Sequence, residues 1–178
     1  MHDGCNYVTN VKKFFELADS IMLDKLGFER SAIGFKPTDT SYHMYKKSLI
    51  DYNLEITSTV VDYDDPDKIK ECMIEMKYMP LSRNKDKNGG STDKGSTYTI
   101  TGFKIVGAKD DNLIIEPFGD KQEIDIHDKT DNKRTITRLS KLDKSKQYLL
   151  PLDKEQLDKA TIIDTPFIEY KKSLLGLG

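Results

Sequence analysis

The sequence predicts an α+β fold: amino-terminal helices with a short strand, followed by a small five- or six-stranded antiparallel barrel of SH3-like or OB-like type. Three observations predict it. Apolar residues recur at helical spacing near the amino terminus, a polar glycine-containing segment interrupts the middle, and a run of short β-branched stretches fills Tyr98 to Leu152.

In the first element, VTNVKKFFELADSIMLDKLGFE, Val11, Phe14, Phe15, Ala18, Ile21, Met22 and Leu26 repeat every three or four residues. This spacing predicts a helix over about 11–26, capped by Thr9 or Asn10 and ended near Gly27. LEITSTVVDY is β-branched and predicts a strand over 54–63. In DYDDPDKIKECMIEMKYMP, an aspartate cap, Pro66 at the first helical position and a stripe of Ile69, Cys72, Met73 and Met76 predict a second helix over about 66–79.

SRNKDKNGGSTDKGST, residues 82–97, has three glycines and no aliphatic residue, so it buries too little to offset the entropy of ordering it. It divides a mixed module, 1–81, from a barrel module, 98–170, with a tail at 171–178. In the barrel, Tyr98 and Ile100 share one strand parity while Phe103 and Ile105 share the other, with Gly102 between them. A parity switch at glycine predicts a sharp bend. LIIEPF, QEIDI, NKRTITRL and KQYLLPL supply the next strands. DKEQLDKA predicts a short helix near 154–160, and ATIIDTPFIEY a last edge strand.

The 178 residues carry 28 basic and 30 acidic side chains. Residues 1–80 hold 10 basic against 14 acidic, 81–146 hold 14 against 11, and 147–178 hold 4 against 5. A chain this balanced is not held on nucleic acid by charge alone. Of the basic residues only Arg30, Arg83, Arg134 and Arg138 are arginines, and a lysine surface solubilises better than it reads phosphates or bases. No apolar run is long enough for a transmembrane helix, and Cys5 and Cys72 form no disulfide framework. The expectation is a soluble cytoplasmic protein with no membrane partner.

Catalytic motifs are missing from the sequence. His2, His43 and His127 are isolated, the aspartates of DYDDPD fit a helix start better than a calcium loop, and NGGSTDKGST lacks the order of a phosphate loop. No cofactor, metal ligand or catalytic residue is expected, and the chain reads as a non-enzyme. The functional expectation is a protein-binding module acting as adaptor, assembly component or stoichiometric inhibitor, with Phe35, Tyr42 and Tyr45 of GFKPTDTSYHMY as anchors. The alternative is nucleic-acid binding through Lys133, Arg134, Arg138, Lys141, Lys144 and Lys146 of the segment 129–146. A lesser alternative is an enzyme whose site assembles only in three dimensions.

Overall fold

The computed structural model describes residues 10–36, 40–62, 69–81, 94–139, 142–162 and 168–169. Helix α1 (Val11–Asp19) starts where the spacing places it, with the Asn10 side chain accepting from the Lys13 N–H at 3.2 Å. Its continuation, Ser20–Lys25, widens into π-helix, and Gly27 ends it at φ 74°. That conformation strains residues with a Cβ, which is why glycine suits the exit.

Four long strands follow: β1 (Glu29–Lys36), β2 (Thr40–Ser48), β3 (Tyr52–Val61) and β4 (Glu71–Pro80). Next come β5 (Ser96–Thr101), β6 (Phe103–Lys109), β7 (Asn112–Pro117), β8 (Glu123–Asp128), β9 (Lys133–Arg138) and β10 (Tyr148–Pro151). Helix α2 (Lys154–Ile162) and the two-residue β11 (Ile168–Glu169) complete the order.

The strands form two antiparallel sheets, not a barrel. The large one runs β1-β2-β3-β4-β5-β8-β9; the small one runs β10-β7-β6, with β11 added beside β10. This overturns the expected five- or six-stranded barrel. β5, β8 and β9 join the amino-terminal strands because β5 pairs with β4, Tyr98 opposite Met76, instead of closing on its own neighbours.

The helix expected over 66–79 is also corrected. Cys72, Ile74, Met76 and Tyr78 are buried alternately with Glu71, Met73, Glu75 and Lys77, a period of two that marks a half-buried strand. The proposed cap residues Asp64, Asp65 and Pro66 lie outside the described residues. So does most of the expected linker, although its last residues, Ser96 and Thr97, open β5 and pair with β4.

The inner face of the large sheet carries the core: Leu54, Ile56, Ile74, Met76, Tyr98 and Ile100 pack with Phe103, Leu113, Ile115 and Leu150 of the small sheet and with Ile21 and Met22. Each such side chain, fully buried, contributes roughly 1.5–3 kcal/mol against exposure. A second cluster, Phe14, Phe15, Val60, Ile69 and Cys72, seats α1 on the same face. Burial pushes the Cys72 thiol up to about 12, so it is inert as a nucleophile at neutral pH.

Gly102 is where the chain changes sheets. At φ 83° it turns β5 into β6, and a Cβ there would lie 1.8 Å from the Lys121 carbonyl oxygen. The parity switch in the sequence therefore marks a transfer of the buried face from one sheet to the other.

Candidate functional site

The two ends of the large sheet hold the surfaces that can do chemistry or make contacts. At the β1 end, alternation puts Ile33, His43 and Ser58 in one row on the inner face, His43 paired with both of the others in register. α1 lies over this row and brings two groups to the imidazole. The Phe15 ring stacks on it at 3.9 Å and 8°, and the Asp19 carboxylate meets Nδ1 at 2.8 Å.

Asp19 is the hub. Its Oδ1 also accepts from the Tyr45 hydroxyl at 2.6 Å, and its Oδ2 accepts from Arg30 Nη1 at 2.9 Å. Because an ionised carboxylate only accepts, His43 carries a proton on Nδ1, and in the neutral imidazole Nε2 is then the ring's acceptor. Among the described residues Nε2 has no hydrogen-bond partner, and the one enclosed side-chain atom without a partner is Ser58 Oγ. Nε2 therefore keeps access to solvent. Burial, then the Asp19 bond, pushes the Tyr45 hydroxyl far above its ordinary range, so it remains a donor.

Beside this network a cleft of about 560 Å³ opens between α1 and the sheet edge, walled by Val11, Phe15, Ile33 and Gly34 with Ser41 and His43. Ile33 is 57% exposed, since the helix stops short of covering β1. A larger concavity of about 1110 Å³ lies where the turns at 47–52 and 110–112 meet 152–158. Its lining includes the carboxylates of Asp51, Asp110, Asp111 and Asp153 beside Lys47, Lys154 and Tyr52. Its wall is braced by Tyr98 donating to Asp158 and by Tyr78 donating to the Leu152 carbonyl at 2.6 Å.

At the opposite end β9 is an edge strand exposed along nearly its whole length on both faces. Arg134, Ile136 and Arg138 form its outer row beside Glu123, Asp125 and His127 of β8. Arg134 grips Asp125 with two nitrogens, Nε at 3.0 Å and Nη2 at 2.6 Å, and this hydrogen bonding holds the Asp125 carboxyl below the usual aspartate range. Arg138 lies 3.5 Å from Glu123.

The sequence-predicted residues are thus scattered. Tyr45 is 0% exposed and belongs to the core; it shares the inward parity of β2 with His43, a placement hidden by the irregular look of the segment. Tyr42 lies on the outer face, its ring over Gly34, where a Cβ would come within 2.6 Å of it. The Phe35 side chain and Lys141 are outside the described residues. Lys133, Arg134 and Arg138 do share β9, while Lys144 donates to the Gly119 carbonyl at 3.2 Å and Lys146 sits 4.0 Å from Asp143.

Sequence reasoning missed Asp19 and Arg30, because nothing local reveals that a helix residue and two strand residues converge 24 and 26 positions apart. Among the described residues no three His, Cys, Asp or Glu side chains are grouped to hold a metal ion, and no helix is long and apolar enough to cross a membrane. No family model, curated protein or solved structure matches this chain, so its functional reading rests on this geometry.

Proposed function

We propose that this protein acts through a stoichiometric, non-catalytic contact with another protein, as an adaptor, assembly component or inhibitor, and that the β8–β9 end of the large sheet makes the contact. The observation that carries this reading is β9 itself, an uncovered edge strand with Ile136 55% exposed at its centre. An edge strand can accept an extended segment as an eighth strand, with main-chain hydrogen bonds giving affinity and alternate side chains giving specificity. The flanking Arg134 and Arg138 discourage indiscriminate pairing, as charges on natural sheet edges do.

The basic residues favour this reading over nucleic-acid binding. Arg134, Arg138, Lys144 and Lys146 each already meet an acceptor or carboxylate of this chain, and a phosphate would have to compete with it. Capture from an extract of the cells that make the protein tests the proposal, beside oligonucleotide binding over a salt series. A partner held one to one by the wild type and lost with Ile136→Asp, at unchanged melting temperature, supports it. Submicromolar oligonucleotide binding with a steep salt slope, abolished by Arg134→Gln with Arg138→Gln, overturns it.

A further inference from the structure

We propose that the cleft between α1 and the β1 edge is a binding site for a small, largely apolar, uncharged molecule carrying one hydroxyl of phenolic type, which donates to His43 Nε2. The cleft's volume, about 560 Å³, falls within the range of small-molecule sites, and Val11, Phe15 and Ile33 give it an apolar wall beside the polar Lys12, Glu16, Asp19, Ser41 and His43.

The imidazole is preorganised. Asp19 at 2.8 Å fixes the tautomer, and the face-to-face contact with Phe15 at 3.9 Å fixes the ring plane. The ring enters a complex with no freedom left to lose, which is what makes a single hydrogen bond effective there. Asp19 competes little for the ligand's proton, because three of its roughly four acceptor sites are filled by His43, Tyr45 and Arg30.

The charges at the mouth specify a neutral ligand. Glu16 at the rim is matched by Lys13 at 3.7 Å, and the Asp19 charge is matched by Arg30 at 2.9 Å. An anion would meet the Glu16 and Asp19 carboxylates, and a cation would meet Lys12. A neutral ring with one donor satisfies Val11, Phe15 and Ile33 through its body and Nε2 through its hydroxyl.

The test is an NMR titration of the full chain with phenol and, separately, with benzene. The expected result is saturable shifts of the His43 ring and Ile33 methyl signals, with phenol bound about tenfold more tightly than benzene, the worth of one net hydrogen bond. His43→Phe keeps a ring against Phe15 but removes the acceptor, and it should bring the two ligands to equal affinity. Ile33→Glu, at the exposed wall, should weaken both while leaving the His43 signals of the free protein in place. Absence of saturable shifts at these residues overturns the proposal, as does a phenol preference that survives in His43→Phe.

Discussion

Ser58 stands directly across from His43 in the β2–β3 ladder, yet its hydroxyl is fully enclosed and has no hydrogen-bond partner among the described residues. Burying a hydroxyl without a partner costs roughly 1–3 kcal/mol. Ser58→Ala removes that cost along with very little volume, so the variant should be more stable than the wild type by about 1 kcal/mol. Urea unfolding measures it. A loss of stability of that size would mean that the hydroxyl is satisfied after all.

Gly102→Ala should be among the most damaging single-methyl changes in the chain. The Gly102 N–H donates to the Cys72 carbonyl at 2.9 Å and its carbonyl accepts from the Phe118 N–H at 2.8 Å, so the backbone cannot move aside. With φ at 83° and Lys121 backbone 1.8 Å from the new Cβ, a loss of about 3 kcal/mol or more is expected. Thermal unfolding of the soluble fraction checks it.

Tyr78 and Tyr98 pack edge to face at 5.4 Å and tie the large sheet to the segment around α2. Tyr78→Phe leaves the Leu152 carbonyl without its donor and should cost about 1–2 kcal/mol in an equilibrium unfolding experiment. Burial is the main force raising the ionisation of both phenols above the ordinary tyrosine value of 10.0. Their contribution is therefore whole below pH 10 and declines as the pH rises beyond it. Ultraviolet titration should show these tyrosines ionising only as the protein unfolds in alkali.

Acid has the opposite partner at the other end of the sheet. Asp125 is held below 3.8 chiefly by its hydrogen bonds from Arg134. Its stabilising effect is present above that value and vanishes as the pH falls through the lowered one. Wild type and Asp125→Asn should therefore differ in melting temperature at neutral pH and converge in strong acid. A constant gap across the range would count against the pair.

Local signals made much of the carboxyl half legible. Turn residues at Asp110–Asn112 and Gly119–Asp120 framed β7 and β8, and Asp153 does cap α2, accepting from the Glu155 N–H at 2.8 Å. The fold class was not legible, because it depends on one long-range choice. β5 carries the same β-branched alternation whether it closes a barrel or extends a sheet, and only its pairing with Tyr78 and Met76 decides. β4 misled for a physical reason: Cys72, Met73 and Met76 satisfy a helical stripe while Cys72, Ile74, Met76 and Tyr78 satisfy a strand, and tertiary pairing selected the second. The Asp19–His43–Tyr45–Arg30 network was out of reach altogether, since its members sit on three elements and each is unremarkable in its own stretch of sequence.

The excursion of β6 and β7 between β5 and β8 also sets a timetable. β1 to β5 pair as successive neighbours, so their ladders can form as soon as each strand is available. β8 finds its place beside β5 only after the chain has left at Gly102, made a hairpin in the small sheet and returned at Glu123. Loop-closure entropy places that step after the local ladders, the β8–β9 hairpin included. We predict that the last ladder to gain protection in a refolding hydrogen-exchange pulse is β5–β8; its protection ahead of the β2–β3 and β3–β4 ladders would contradict this order. The strand offered to a partner would then join the large sheet last, carried in with β8, and a partner present during synthesis would meet this hairpin before it is docked.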